Sequence, residues 1–288
     1  HTLGAALVTG TTLKDRAEVP TPEGRPLEAV LEAMEGLVRR LAPRGTPVGV
    51  GLPGMIDAPR ERFLRGPNFP GWSGLPLRRL LQERLGAPVR LENDANCYAL
   101  GEGFAGAARG LRDYVVFTLG TGIGGGVVCA GRLLRGAHGM GGELGHLSIG
   151  GKAPCGCGGK GHLESVAAAD GLESRGKSRG LPPDARRLWE MREKDPVARA
   201  VWDESLEALA EGIASAVHTF DPEALILGGG MSAAPGLLDA LRPLVEERLS
   251  DPFRPLLDLR RSSLGNGAAL WGAAALWLSP DSWGPGTP

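Results

Sequence analysis

Clustered glycines constrain this chain more than any other feature of its sequence. Many of its 46 glycines fall in four short runs: TLGTGIGGG at 118–126, GMGGELG at 139–145, CGCGGKG at 155–161 and LGGGMS at 227–232. Glycine adopts positive φ without strain and lets a ligand or another backbone approach closely. The four runs therefore predict four places where the backbone turns sharply or lies against a ligand.

The stretches between these runs alternate between strand-like and helix-like patterns. Apolar runs predict strands, and apolar residues at three- and four-residue spacing predict helices. The predicted strands are 3–8, 12–19, 47–52, 88–91, 114–119, 126–129 and 224–227. The predicted helices are 26–41, 75–85, 95–104, 163–172, 200–220, 235–249 and 264–278, with a charged, irregular stretch at 173–198.

This order predicts an α/β protein of two related lobes, each opened by a strand hairpin. A chain of 288 residues is long enough for two lobes of roughly 100–150 residues each. We expect a smaller N-terminal lobe over 1–113 and a larger lobe over 114–267, with a C-terminal helix at about 268–288 returning to the first lobe.

Charge and hydropathy exclude two classes of partner. The 32 basic and 33 acidic residues are mixed along the chain, and no basic block offers a nucleic-acid surface. No apolar run reaches the roughly 18–20 residues that cross a bilayer, and no signal peptide is evident. We therefore expect a cytoplasmic protein that binds neither nucleic acid nor membrane.

The glycine run at 118–126 follows a predicted strand directly. Backbone N–H groups of such a turn, with the hydroxyls of Thr118 and Thr121, can cradle phosphate. A Walker A loop is excluded because no Gly-Lys-Ser/Thr follows. The run at 227–232 could let adenine or ribose approach the backbone, although many strand-to-helix turns look similar. The alternative for the first run is a flexible loop without a ligand.

Asp94 lies where a predicted strand ends and a helix begins, in the segment LENDAN at 91–96. A helix N-terminus favours an ionised carboxylate, and an ionised Asp beside a hydroxyl can act as the base of phosphoryl transfer. An Asp at this place is also a good helix N-cap. The local sequence leaves both interpretations open.

Four soft or imidazole ligands fall within 17 residues: His146, Cys155, Cys157 and His162. Two thiolates and two imidazoles complete a tetrahedral zinc site with no position open for a catalytic water, so the zinc would be structural. Glu143 and Glu164 flank the ligands and could hold sugar hydroxyls. The alternative is a reduced glycine loop without metal.

Together and in this order, the motifs resemble the ROK family of repressors and kinases. The glycine run, ELGH at 143–146 and CGCGGKGHLE at 155–164 look like its signature, and PNFPGW at 67–72 with LENDAN is similar to its glucokinase members. The resemblance implies the two-lobed actin-like ATPase (ribonuclease H-like) fold, ATP with Mg²⁺, a structural Zn²⁺ in a loop at 146–162, and a homodimer or higher homo-oligomer. It also implies transfer of the γ-phosphoryl group to the 6-hydroxyl of a hexose, with glucose foremost and mannose, fructose and N-acetylated amino sugars open.

The resemblance assigns roles by position. Asp94 would be the general base, and the zinc ligands would be the four residues named above. The implied sugar contacts are Asn68, Asn93, Glu143, His146 and Glu164. The implied nucleotide contacts are Thr118, Gly120, Thr121, Gly122, Gly229 and Gly230. His146 would serve both the metal and the sugar, and its metal bond would orient the ring.

Two positions depart from the family pattern. His162 stands where the family usually has a third Cys, and imidazole is a competent replacement. The family opens with a strand and an Asp-x-Gly-Gly-Thr phosphate loop, which would precede His1. A missing central strand would cost ~1–3 kcal/mol for each buried backbone group left unpaired, so we expect that the sequence begins after it.

Other functions stay open beside the ATP-dependent kinase. One is a sugar-sensing regulator of the same family, for which we see no room for a helix-turn-helix before Leu3. Another is a kinase-like protein that binds sugar without turnover. Polyphosphate also stays open as the phosphoryl donor.

Overall fold

The computed structural model describes residues 2–66 and 69–279 of the chain. Its strands are β1 (Thr2–Thr9), β2 (Thr12–Pro20), β3 (Val48–Leu52), β4 (Met55–Ile56), β5 (Phe63–Arg65), β6 (Val89–Asn93), β7 (Tyr114–Leu119), β8 (Ile123–Cys129), β9 (Arg132–Leu133), β10 (Ala224–Gly228) and β11 (Leu259–Arg261). Its α-helices are α1 (Leu27–Leu41), α2 (Leu77–Leu85), α3 (Asp94–Ala105), α4 (Leu163–Ala167), α5 (Ala169–Ser178), α6 (Ala185–Met191), α7 (Pro196–Phe220), α8 (Leu237–Arg248) and α9 (Ala268–Leu278).

The chain divides into two compact units. Unit 1 comprises 1–110, 131–142 and 267–288, and unit 2 comprises 111–130 and 143–266. In unit 1, β1 and β2 form an antiparallel hairpin, β3 and β6 pair in parallel, and β4 and β5 pair antiparallel. The apolar face of α1 packs into a core that includes Val30, Phe63 and Trp72. Its apolar residues recur at helical spacing, which is why this segment is a helix.

Helix α3 of unit 1 is held by unusually close backbone packing. A Cβ added at Gly272 of α9 would lie 1.6 Å from the carbonyl oxygen of Cys97 in α3. One added at Gly101 would lie 2.0 Å from the carbonyl oxygen of Ala268. Only glycine allows two helices to approach this closely, so the small residues of the C-terminal helix fix the position of α3.

Unit 2 is built on one sheet in which β11, β10, β7 and β8 are neighbours in that order. Strand β10 runs parallel to β7 and β11, while β8 returns antiparallel to β7. Strand β7 is almost wholly apolar and buried, as expected of a strand inside a sheet. The long helix α7 begins after Asp195, whose carboxylate accepts from the amides of Val197 and Ala198. Its buried face includes Trp202 and Leu209.

The structure differs from the predicted elements at several places. The helices predicted from 200 and 264 begin at Pro196 and Ala268, and α6 lies in the stretch predicted to be irregular. The helix predicted over 163–172 is two helices, α4 and α5, separated by the extended residue Ala168. Strand β8 begins at Ile123 rather than at 126, so the second half of the glycine run belongs to a strand. The break at Ala168 coincides with a contact to the glycine run, from the amide of Ala169 to the carbonyl oxygen of Gly120. The earlier start of β8 follows from its hairpin pairing with β7.

None of the helices in the described residues combines the length and the apolar character that crossing a bilayer requires.

Candidate active site

The glycine run forms a tight hairpin turn in unit 2. Strands β7 and β8 pair up to Leu119 and Ile123, and the residues between them, 120–122, make the turn. The amide of Gly120 donates to the carbonyl oxygen of Gly122 at 3.0 Å. Three of the predicted nucleotide contacts therefore lie together in this glycine turn, at the end of a buried strand.

The segment that follows the predicted zinc ligands supports this glycine turn. The carbonyl oxygens of Gly120 and Thr121 accept from the amides of Ala169 and Asp170, at 2.9 and 3.3 Å. These amides open α5, and helix N-terminal amides have no partner inside the helix. The turn thus takes the place of a cap, which explains why the predicted helix is interrupted at Ala168.

Glu164 makes the third contact with the glycine turn. Its Oε2 accepts from the amide of Ile123 at 2.9 Å. A Cβ added at Gly122 would lie 2.4 Å from the same oxygen, so glycine is required there for the carboxylate to reach the amide. The other oxygen, Oε1, lies 3.6 Å from Sγ of Cys155. Glu164 therefore connects the glycine turn to the predicted zinc site.

The second predicted nucleotide segment lies beside the first. Strand β10 pairs with β7 in parallel, with Gly228 opposite Thr118. Gly229 has φ +80°, and a Cβ added there would lie 2.3 Å from the carbonyl oxygen of Leu119. Gly230 then begins a 3₁₀ turn that ends at Ala233. Loops at the carboxyl ends of neighbouring parallel strands are a common place for ligands in α/β proteins.

The four predicted zinc ligands converge in the structure. One ligand atom from each of His146, Cys155, Cys157 and His162 lies within 4.8 Å of all the others. Sγ of Cys155 is 3.8 Å from Nδ1 of His146, and Sγ of Cys157 is 3.3 Å from Nδ1 of His162. Zinc bonds of 2.0–2.3 Å in a tetrahedron separate the ligand atoms by about 3.3–3.8 Å. The donor set and its spacing therefore fit zinc.

The protonation of Cys155 and the position of Glu143 further characterise this cluster. Burial is the main cause that raises the pKa of the Cys155 thiol to about 11, so in the metal-free protein this ligand is protonated at neutral pH. Metal must displace that proton to bind. Nε2 of His146 lies 3.8 Å from Oε2 of Glu143. Glu143 and Glu164 thus border the cluster, one beside His146 and the other beside Cys155.

Asp94 is the first residue of α3 in unit 1, but it is not the N-cap. The cap is Asn93, whose Oδ1 accepts from the amides of Ala95 and Asn96 at 2.9 and 3.0 Å. The N-cap interpretation of Asp94 is therefore wrong. Oδ1 of Asp94 accepts from the adjacent amide of Ala95 at 2.9 Å. Burial is the main cause that raises the pKa of this carboxyl group above the usual Asp value.

The other predicted sugar contacts of unit 1 are Asn93 and Asn68. Asn93 uses its Oδ1 for the cap and donates through Nδ2 to the carbonyl oxygen of Gly54 at 3.1 Å. An amide nitrogen carries two N–H groups, and among the described residues one of the two is used, by Gly54. Asn68 lies outside the described residues.

Sequence reasoning missed a buried charge cluster next to Asp94. Glu92 has no exposed surface and forms ion pairs with Arg60 and Arg135. A signal was present, because Glu92 directly follows the apolar residues of a short strand predicted to be buried, and a buried carboxylate requires partners. Its partners could not be read from the sequence, since they lie in distant segments.

Comparisons with known proteins agree with these motifs. The ROK family model matches residues 1–279. A glucokinase of Thermotoga maritima is 39% identical over 267 residues, which are 86% of this chain and 82% of that protein. The crystal structure of a ROK hexokinase from Thermus thermophilus superposes with a TM-score of 0.84 at 39% identity, covering 95% of this chain and 93% of the other. A glucokinase of Streptomyces griseus, solved with glucose and AMPPNP, gives a TM-score of 0.80 at 30% identity, covering 96% and 99%.

Proposed function

The chain belongs to the ROK family, and from this premise we propose that it is a glucokinase that transfers the γ-phosphoryl group of ATP to the 6-hydroxyl of glucose. It is a hexose kinase with the actin-like ATPase fold. One observation carries the nucleotide part of the proposal. The glycine turn and the Gly229 loop follow neighbouring parallel strands and pack against each other, as a binding site for phosphate and adenosine requires.

We assign the reacting roles as follows. The carboxylate of Asp94 accepts the proton of the sugar 6-hydroxyl as its oxygen bonds to the γ-phosphorus. The bond from that phosphorus to the bridging β,γ-oxygen breaks, and ADP leaves. The raised pKa of Asp94 brings this carboxylate closer to the basicity that is useful at neutral pH. ATP supplies the phosphoryl group, and Mg²⁺ would neutralise charge on its phosphates.

The remaining ligand roles are proposals of the same kind. The glycine turn holds phosphate through the amides of Thr121 and Gly122 and the Thr121 hydroxyl, with Thr118 near the end of β7. Gly229 and Gly230 lie against adenosine. The residues that bind sugar hydroxyls are Asn68, Asn93, Glu143, His146 and Glu164.

We also propose a structural zinc in the cluster of unit 2. Its ligands are His146, Cys155, Cys157 and His162, whose donor atoms fit a tetrahedron. Zinc would orient the His146 ring and keep Nε2 directed towards Glu143.

A coupled assay of ADP release tests the function. The purified protein with ATP and Mg²⁺ should release ADP on addition of glucose, and 6-phosphorylated sugar should accumulate in equal amount. Mannose, fructose and N-acetylglucosamine define the sugar preference, and polyphosphate in place of ATP tests the donor. The absence of turnover with all four sugars would refute the kinase proposal, and sugar binding without turnover would favour a sensor or an inactive relative.

A further inference from the structure

The charge cluster of Arg60, Glu92 and Arg135 lies in unit 1 beside the proposed base. Oε2 of Glu92 accepts from Nε of Arg135 at 2.7 Å and lies equally close to its Nη2. Oε1 lies 3.2 Å from Nη2 of Arg60. Arg60 is 5% exposed and Glu92 is wholly enclosed. Arg135 is partly buried, with 17% of its side chain exposed. Burying a charge pair is costly, and apolar residues of the same volume are often equally stable or more so. A role beyond stability would account for keeping them.

One oxygen of Glu92 holds the segment that carries Asp94. Oε1 accepts from the amide of Asn93 at 2.9 Å and from Nδ2 of Asn96 at 3.0 Å. Asn93 is the cap of α3 and Asn96 lies in its first turn, so the residues on both sides of Asp94 are attached to the same carboxylate. The backbone direction at Asp94, and with it the direction of its side chain, depends on the position of Glu92.

The other oxygen of Glu92 holds a second segment, the strap of residues 131–142. Arg135 lies in this strap, and its carbonyl oxygen accepts from the amide of Gly141 at 2.6 Å. Nη1 of Arg60 donates to the carbonyl oxygen of Gly139 at 2.9 Å and to that of Ile56 at 3.1 Å. The two arginines thus attach the strap to the element that carries Asp94. The strap ends immediately before Glu143, a proposed sugar contact.

We propose that Glu92 is a positioning residue for phosphoryl transfer, which sets the orientation of Asp94 and, through Arg60 and Arg135, the position of the strap. Oε1 holds the first turn of α3 and also pairs with Arg60, while Oε2 pairs with Arg135. A change in either arginine is therefore transmitted through Glu92 to the first turn of α3. This inference rests on the proposed function only because it takes Asp94 as the base. The link between the strap and α3 follows from the hydrogen bonds and does not depend on the proposed function.

The test compares Arg135→Lys with a matched control, Arg84→Lys. Lysine keeps the charge but cannot make the two-point contact of Arg135 with Oε2. Arg84 also bridges carboxylates of unit 1, those of Glu28 and Glu35, and none of its described contacts reaches α3 or the strap. We expect Arg135→Lys to lower kcat by about 10–100-fold, the scale of a small misplacement of a reacting group, with the KM for ATP within about twofold. The control should keep both constants.

Amide hydrogen exchange of the sugar-free and nucleotide-free variants gives a readout independent of turnover. In Arg135→Lys, and in Glu92→Gln if it folds, exchange should accelerate at Ala95 and Asn96 together with Gly141. Native kcat in folded Arg135→Lys, an equal loss in the control, or faster exchange confined to the strap would each overturn the proposal. If the native protein shows no turnover, the proposed function fails, while the exchange result still decides whether Glu92 links the two segments.

Discussion

The surroundings of Asp94 in unit 1 and of the glycine turn in unit 2 are organised by different means. The residues that flank Asp94 are held by the buried carboxylate of Glu92. The arginines that pair with Glu92 lie far from it in sequence. The glycine turn is held by backbone amides and carbonyls, by glycines that leave room for close approach, and by one carboxylate next to the predicted zinc ligands. Small side-chain changes should therefore alter the chemical step in the first region and ligand affinity in the second.

The largest effect is expected from a substitution of Asp94, the proposed base in unit 1. Asp94→Asn should lower kcat by about 10²–10⁴-fold, because the amide cannot take the proton. The Kd for glucose should change little, since the amide oxygen can still accept from the amide of Ala95. Steady-state kinetics and calorimetry on the same preparation measure both. A near-native kcat of this variant would show that Asp94 is not the base. The proposed difference between the two regions would then have no support.

Loss of the proposed zinc site should have the next largest effect. We expect this effect on the affinity for glucose. Cys157→Ser removes one of four ligands, and we expect the Kd for glucose to rise by about 10–100-fold because the rings and carboxylates around the metal lose their orientation. ATP affinity should fall less. Cys129→Ser, at a partly buried cysteine of the same unit outside the cluster, is the control.

Elemental analysis of protein purified without added metal should find one zinc per chain. A content below about 0.2 zinc per chain, or an unchanged KM for sugar in Cys157→Ser, would contradict a metal site that stabilises this loop.

Glu164→Ala tests how the two parts of unit 2 are connected. Glu164 lies beside the predicted zinc ligand Cys155, and its carboxylate also accepts from the amide of Ile123 at the glycine turn. Removing it leaves the amide of Ile123 without its described partner, a loss of about 1 kcal/mol or more. We expect the Kd for AMPPNP, measured without sugar, to rise by about five- to tenfold. Glu164→Gln can still accept from this amide and should retain most of the affinity. Equal nucleotide affinity in all three proteins would show that the glycine turn does not depend on Glu164.

The smallest expected effect concerns stability and pH. Burial raises the pKa of Asp94 in the folded state above its unfolded value, so the folded protein binds the proton more tightly and loses stability as pH rises through that pKa. Asp94→Asn lacks this penalty. Its Tm should exceed that of the native protein at pH 7, and the difference should shrink as pH falls towards the unfolded pKa of about 3.9.

The raised pKa of Asp94 should also affect the pH dependence of kcat. Ionised Asp94 is the active form, so kcat should decline at acidic pH with a limb displaced upward from the ordinary Asp value. Thermal melts across pH and a kcat profile test the two consequences of one shift. A lower Tm for Asp94→Asn at pH 7 would show that this carboxylate stabilises the fold.

The sequence determined the features that depend on neighbours along the chain. The hairpin of β1 and β2, the helix α1 and the strand β7 follow from local apolar patterns, and the structure confirms them. The four predicted zinc ligands lie close together because they fall within 17 residues and the glycines between them let the loop close. The family motifs are local in the same sense, so the sequence is sufficient to identify a sugar kinase.

The tertiary structure decided what depends on distant segments. In the structure the cap of α3 is Asn93 rather than Asp94, and the helix predicted over 163–172 is interrupted. Glu92 pairs with two arginines that are distant in sequence. In each case a polar group could be satisfied by several partners of similar local chemistry. Which partner it meets is set by the topology, because a buried charge or amide gains its stabilising contact only from the segment that the fold brings within hydrogen-bonding distance.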